Sequence, residues 1–317
     1  MKPPYEITSK SLQLISSISI KIGEVNAKML VRQNPKLRKQ NKIKTIQSSL
    51  AIEGNTLSEE QITALLENKR VVGPAKDIKE VLNAFVVYEQ LSVLRHTSEQ
   101  DFLKAHNLLM KGLVEQPGKY RNQSVGIVKG SKIAHVAPPH TNVSLLMKDL
   151  FVYLKDQSEL TLIKSCVFHY EMEFIHPFMD GNGRMGRLWQ TLILMKEYPL
   201  FEFLPFESLI SNNQSSYYEA LALSDKAGKS TIFIEYMLGI IDKSLDQLLQ
   251  QRTKKLNEID RLSIFLGTMD GVFTRKEYMN FFAEISSATA SRDLKNGVDM
   301  HILERYGEKK TTQYKKI

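Results

Sequence analysis

Apolar residues in this chain recur every three or four positions over most of its length, a spacing that only helices bury on one face. Leu12, Ile15, Ile18, Ile22, Val25 and Met29 mark a helix from Ser11 to about Leu30. Residues 79–95 (KEVLNAFVVYEQLSVLR) are amphipathic in the same way, and so are 99–114, 144–155, 159–175, 183–197 and 231–250. Few runs alternate as strands do, so the fold class expected is mainly α. At 317 residues the chain exceeds one ordinary core, and at ~100–200 residues per unit it calls for two or three.

One stretch breaks the helical pattern with strand character. SVGIVKGSKIAHVAPP, residues 124–139, places two apolar runs around Gly130-Ser131, a two-residue hairpin turn with glycine first. Pro138-Pro139 ends the second run. The chain changes again after about residue 255. TRKEYMNFFAE reads as a short helix and ISSATASRDLKN as a second, with Ser286 or Ser287 as N-cap and Gly297 just past its end. MHILERY and TTQYKKI then read as strands around GEKK. Helix, helix and charged hairpin is the order of a winged helix-turn-helix over 255–317. A plain helical tail is the alternative.

Charge and cysteine bound the surroundings. The net charge is +8, and six basic residues (Arg32, Lys36, Arg38, Lys39, Lys42, Lys44) form a run without an acid. That run is either a solvated face or a polyanion patch. Residues 251–317 hold 13 basic and 9 acidic side chains, a mild excess. The single cysteine, Cys166, permits no internal disulfide and fits a reducing compartment. MKPPYEITSK lacks an apolar signal stretch, and no segment approaches the ~20 apolar residues of a membrane span. The expectation is a cytoplasmic protein with no membrane partner.

Chemistry concentrates in residues 176–187, HPFMDGNGRMGR. Glycines at 181, 183 and 186 allow a tight turn and bring backbone N–H groups close to a ligand. The following RMGRLWQTLILMK is helical in pattern, and a glycine-rich turn at a helix N-terminus is an anion site. Arg184 and Arg187 add guanidinium forks suited to phosphate oxygens. Asp180 is the single carboxylate with which magnesium is held beside phosphates. His176, four residues earlier, can take a proton from a hydroxyl near neutral pH. Together these imply nucleotidyl or phosphoryl transfer to a hydroxyl. Rival motifs fit less well. Asp180-Gly-Asn-Gly lacks the alternating acids of a calcium loop. His169-x-Glu171 has no thiolate pair for a zinc deaminase, and no P-loop pattern appears. His169 and His176, seven apart, leave a metal pair open.

HPFMDGNGRMGR resembles the Fic-family signature HPFxDGNGRxxR at every defining position. The upstream HYEMEFI and downstream NNQSSYYEAL are similar to the family as well, and the resemblance covers about residues 45–245. It implies a mainly helical fold and transfer of AMP from ATP to a hydroxyl of a target protein and of the enzyme itself, releasing pyrophosphate. His176 would be the base, and Asp180 would bind Mg2+ between the α- and β-phosphates. Gly181, Asn182 and Gly183 would cradle the phosphates, with Arg184 helping and Arg187 gripping the γ-phosphate. Tyr217 and Tyr218 match a pair near adenine in relatives, with plain packing as the alternative, and Asp225 stands where relatives often have asparagine. The intact GNGR differs from relatives that act as kinases. UMP or phosphocholine transfer, or AMP removal, remain alternatives. The hairpin 124–137 would be a flap that pairs with a target segment in strand fashion.

A second motif lies at residues 45–58, TIQSSLAIEGNTLS. Ser49 and Glu53 share a helical face, Gly54 suits the helix end, and Ser58 with Gln61 forms a capping box for a new helix. Read alone, this is helix–turn–helix with a solvated Glu53. It also resembles the (S/T)xxxE(G/N) inhibitory motif of class II Fic proteins. There the glutamate occupies the second motif arginine, here Arg187, in a bidentate salt bridge, with the serine, here Ser49, hydrogen-bonded to the glutamate. The division expected is a helical region 1–100 containing the inhibitory helix, a catalytic core 101–250, and the winged segment 255–317. The competing function is a DNA-binding regulator with a nucleotide-sensing core, although SSATASRDLKN sets only Arg292 and Lys295 against Asp293. A homodimer is also implied, because relatives often dimerise.

Overall fold

The computed structural model describes residues 2–27, 35–129, 132–250, 257–267, 269, 271–282, 285–308 and 311–317, with the backbone alone at 35–37, 126–129 and 132–136. Two compact units form, one from Met1–Gly23 with Gln40–Gln247 and one from Glu24–Lys39 with Leu248–Ile317. Most of the regions 1–100 and 101–250, drawn apart on sequence grounds, thus share one unit.

Helices run in order α1 (Ser9–Ala27), α2 (Pro35–Ile52), α3 (Glu59–Leu66), α4 (Ala75–Glu89) and α5 (Glu99–Leu109). Then come strands β1 (Gly126–Lys129) and β2 (Lys132–Val136), and helices α6 (His140–Leu154), α7 (Thr161–Ile175), α8 (Asn182–Glu197), α9 (Glu207–Asn212), α10 (Gln214–Ala227) and α11 (Thr231–Gln250). Ser58 caps α3 through the expected box with Gln61. The strands pair antiparallel from Gly126 opposite Val136 to Lys129 opposite Lys132, with an irregularity between Ile127 and Val128. The turn at Gly130-Ser131 lies outside the described residues. Pro139 both ends the hairpin and serves as N-cap of α6. In the basic run, Arg32 and the Lys36 side chain also lie outside, while Arg38 and Lys39 are exposed and Lys42 and Lys44 half-buried.

The first unit is organised around α7 and α8. Apolar residues surround α7 on every side (Ile163, Val167, Phe168, Met172, Ile175 are all buried), which is the composition of a central helix. Trp189 of α8 meets Phe102 edge-on at 5.1 Å, and Phe102 stacks on Phe178 at 5.5 Å. The indole N–H donates to the His96 carbonyl at 2.9 Å. Gly186 sits inside α8, not in the turn as expected. A Cβ there would stand 2.9 Å from His169 Cδ2, so the glycine serves close packing of α8 on α7.

In the second unit, α12 (Glu258–Leu266), β3 (Val272–Thr274), α13 (Arg275–Phe281) and α14 (Ser287–Asp299) precede β4 (Leu303–Tyr306) and β5 (Gln313–Lys316). The sheet order is β3–β5–β4, antiparallel throughout. Its core gathers Leu262, Phe265, Phe273, Tyr278, Ala290, Leu294 and Leu303. Ser286 caps α14 by accepting from the Thr289 N–H. Gly297, expected just past the helix, lies within it, and a Cβ there would sit 2.8 Å from Leu303 and 3.1 Å from Leu262. Packing, not termination, is its use. Among the described residues no helix is long and apolar enough to cross a membrane.

Candidate active site

The chain leaves α7 at His176, whose backbone is left-handed (φ 50°, ψ 59°), and enters α8 through Gly181 at φ +88°. A Cβ at Gly181 would lie 2.7 Å from Met110 Sδ, so only glycine fits there. Between them the turn is fastened from within and from behind. Asn182 accepts from the Phe178 N–H and donates to the Phe178 carbonyl, both at 2.9 Å. Its side chain therefore closes the turn, where the expectation was a phosphate contact. The Phe178 ring stacks flat on His106, 3.6 Å between centroids. His106 Nδ1 accepts from the Gly118 N–H, so Nε2 carries the proton and donates to the Asp180 carbonyl at 3.0 Å. Burial pushes His106 down to about 4, keeping the ring neutral. Arg121 donates from Nε to the His176 carbonyl at 2.8 Å.

These fastenings present the first turn of α8 outward. Its leading N–H groups have no acceptor inside the helix, and the dipole of this 16-residue helix makes its start electropositive. Asp180 is exposed beside it. Its Oδ1 accepts from the Gly181 N–H at 2.6 Å and from Arg184 Nη2 at 2.9 Å. No hydrogen bond to Oδ2 is seen among the described residues. One open carboxylate oxygen next to an anion site suits magnesium completed by phosphate oxygens and water. Among the described residues no cluster of three or more His, Cys, Asp or Glu could hold a metal alone.

Both motif arginines are buried and both are engaged by acids. Arg184 Nη1 meets Glu80 at 2.8 Å, and Glu80 in turn accepts from Asn55 Nδ2 at 2.8 Å. Arg184 Nε is buried without a partner among the described residues. Arg187 is fully buried, and its Nη2 meets Glu53 Oε1 at 2.7 Å. Burial works most strongly against the Arg187 charge, but Glu53, Tyr217 and Glu173 together outweigh it and hold the guanidinium above its ordinary value. The bridge runs through one hydrogen bond, not the two-pronged contact expected. Ser49 also acts differently from expectation: its hydroxyl and its carbonyl both bond Arg187, at 3.1 and 2.9 Å. The reason is local. The Glu53 N–H tightens onto the Leu50 carbonyl at the end of α2, which leaves the Ser49 carbonyl for the arginine. Glu53 also lies against α8: a Cβ on Gly183 would stand 2.4 Å from Glu53 Oε1. One carboxylate thus occupies both the Arg187 guanidinium and the start of α8.

The remaining candidates lie deeper. Tyr217 is in the core, where its hydroxyl meets His169 Nε2 at 3.0 Å. The other ring nitrogen of His169 meets Gln190 Oε1 at 2.7 Å. With both nitrogens taken, His169 offers nothing to a metal pair with His176. Burial pushes it down to about 3. Tyr218 is half-buried, edge-on to Tyr217 at 5.2 Å, and Asp225 accepts from the Tyr170 hydroxyl at 2.8 Å. Glu207 is wholly buried, bonded to Thr191 at 3.2 Å with its other oxygen unpartnered among the described residues, and burial pushes it up to about 8. Glu80, Asn55, His106, Arg121 and Glu207 were not found by sequence reasoning.

Residues 96–194 match the Fic/DOC family. The structure of a Fic family protein from Desulfovibrio desulfuricans G20 is 39% identical, with a TM-score of 0.78, and the match covers 100% of this chain and 98% of that one. The protein adenylyltransferase fic-1 of Caenorhabditis elegans is 28% identical over 232 residues, 66% of this chain and 43% of that protein. The protein adenylyltransferase Fic of Drosophila erecta is 28% identical over 222 residues, 66% of this chain and 42% of that protein. A helical core bearing this turn defines a Fic-type protein, and the chain belongs to the Fic/DOC family. It spans about two fifths of the length of these two curated relatives.

Proposed function

We propose that this protein transfers AMP from ATP to a hydroxyl on a target protein and on itself, and that Glu53 restrains the reaction. The carrying observation is the placement of the Glu53 carboxylate on Arg187 and against the first turn of α8. A carboxylate in that position stands where an anionic phosphate is wanted. The adenylyltransferase relatives point to the same chemistry.

The working state follows when Glu53 withdraws. Arg187 grips the γ-phosphate, Arg184 steadies the chain of phosphates, and the N–H groups of Asn182 and Gly183 face the rest. Asp180 holds magnesium, which neutralises phosphate charge when bound. The hairpin 124–137 pairs with a strand of the target and brings its hydroxyl to His176. His176 takes the hydroxyl proton as the oxygen forms its bond to the α-phosphorus. The bond to the β-phosphate oxygen breaks, and pyrophosphate leaves opposite the attack. Positioning and charge stabilisation supply the acceleration. Half-buried Tyr218 is the better placed of the two tyrosines to meet a base, since Tyr217 is spent in the core. The lone cysteine, buried Cys166, supports a reducing, cytoplasmic setting.

Label position tests the reaction. Glu53→Gly protein given ATP labelled at the α-phosphorus should retain the label covalently, and ATP labelled at the γ-phosphorus should leave none. Retained γ-label would mean kinase chemistry and defeat the proposal.

A second reading adds DNA binding by residues 255–317. The observation in its favour concerns Asp293, which the sequence set against Arg292 and Lys295. Asp293 is buried, bonded to Arg261 at 2.6 and 2.8 Å and to the Tyr278 hydroxyl at 3.1 Å. The exposed side of α14 keeps Arg292 and Lys295 without that acid. Salt-dependent anisotropy of a labelled duplex with the full chain, lost in Arg292→Ala/Lys295→Ala, would support it. Equal binding by the variant would remove it.

A further inference from the structure

Arg121 stands directly ahead of the hairpin, is 4% exposed, and has no carboxylate partner among the described residues. Its donors go to carbonyls from two parts of the chain. Nη1 donates to Gln123 at 2.8 Å and Nη2 to Pro138, the residues that flank β1 and β2. Nε donates to His176 at 2.8 Å and Nη2 to Ile175 at 3.3 Å, the last carbonyls of α7. Its own backbone N–H donates to the Pro177 carbonyl at 2.8 Å.

A buried cation without a counter-ion is costly, and here carbonyl dipoles and the negative end of α7 replace the missing acid. Such an arrangement has to do something a neutral side chain cannot. Only the planar fork of arginine reaches acceptors on several sides at once, and lysine, a single point charge, does not. His176 moreover adopts a left-handed backbone that residues with a Cβ avoid, and a grip on its carbonyl opposes its escape.

We propose that Arg121 is a positioning residue that locks the hairpin to the turn carrying His176, so that a hydroxyl delivered by the hairpin arrives in register with the base. The assignment rests on the AMP-transfer reading above. The two ends of that reaction are supplied by different segments, and a shift of about 1 Å between them can cost about 100-fold in rate. Arg121 binds both segments with one side chain and touches no group assigned to the nucleotide.

The test uses the full chain with Glu53→Gly, alone and combined with Arg121→Lys or Arg121→Ala. Calorimetry with magnesium–ATP should give dissociation constants within about twofold of one another, since Arg121 lies outside the phosphate cradle. Single-turnover labelling at saturating ATP should fall about 100-fold in both double variants. Guanidinium ion should restore labelling to Arg121→Ala and leave the parent unchanged, a rescue that loss of fold would not permit. Amide exchange should rise together in 122–129 and 173–177. An unchanged rate, a nucleotide affinity that falls as far as the rate, or faster exchange in only one segment would each overturn the assignment. An inactive Glu53→Gly parent would instead defeat the AMP-transfer reading, and the exchange measurement would still decide whether Arg121 couples the two segments.

Discussion

The turn from Pro177 to Asn182 and the end of α2 approach the same arginine-bearing edge of α8, and they are held there in opposite ways. The turn is fixed from behind. Asn182 closes it onto Phe178, His106 takes the Asp180 carbonyl, and Arg121 takes that of His176. The end of α2 reaches in with one carboxylate, 28% exposed, through one hydrogen bond to Arg187. The Ser49 carbonyl that accepts from Arg187 belongs to a helix end whose last carbonyls lack N–H donors of their own. The contrast teaches a division of labour. A cradle for phosphates has to be rigid before the ligand arrives, whereas its occupant has to be replaceable.

The largest expected effect tests the fixed part. In the Glu53→Gly background, His176→Ala should lower AMP incorporation by about 10²–10⁴-fold, the range for loss of a general base. Its magnesium–ATP affinity by calorimetry should stay unchanged. Retained transfer would remove His176 as the base, and lost affinity would show that the turn itself had collapsed.

Two stability measurements sharpen the contrast at smaller scale. Asn182→Ala strands the buried N–H and carbonyl of Phe178, at about 1–3 kcal/mol by urea unfolding, and nucleotide should not recover it. Glu53→Gln weakens a charged hydrogen bond to buried Arg187, at about 1.5–3 kcal/mol without nucleotide. There magnesium–ATP should raise the melting temperature more than in wild type, because phosphate replaces the lost anion. If nucleotide stabilises both variants alike, the turn and the α2 segment do not differ as argued.

Taken per unit of pH, the smallest effects are those of titration. Buried Glu207 keeps its proton up to about 8, against an ordinary value of 4.5. Between those values the folded chain holds a proton that the unfolded chain has lost. Stability therefore falls as pH rises, by up to roughly 1.4 kcal/mol per unit. Glu207→Gln should gain on wild type from pH 6 to 8 and match it near pH 4.5 in urea titrations. A difference that does not change with pH would contradict a protonated Glu207. His106 and His169, held down to about 4 and 3, act the other way. The unfolded chain binds protons below about 6.5 that they refuse, so their stabilising effect is lost as pH falls.

What could be read from the sequence was local. HPFMDGNGRMGR keeps its turn, cap and arginines within twelve residues, so their common site is visible without a fold. Ser49 and Glu53 are visible for the same reason. The pairing of Glu53 with Arg187 comes only through the family resemblance, and the exchange by which Ser49 bonds the arginine is not visible at all. Glu80, His106 and Arg121 stand 104, 74 and 55 residues from the motif atoms they hold. No periodicity marks them, because tertiary packing alone brings them there. Two glycines misled for one reason. Gly186 and Gly297 look like turn residues, yet each makes room for a neighbour inside a helix. Strand β3 is three residues long, too short to show alternation. Tyr217 resembled a base contact, but an inward position on α10 gives it to His169.

The central claim is that Glu53 and the γ-phosphate compete for one guanidinium. Initial rates of AMP incorporation from α-labelled ATP, wild type against Glu53→Gly, test it most directly. Competition for Arg187 should make labelling by the variant at least about tenfold faster, the ratio given by ~1.4 kcal/mol. Equal rates would contradict it.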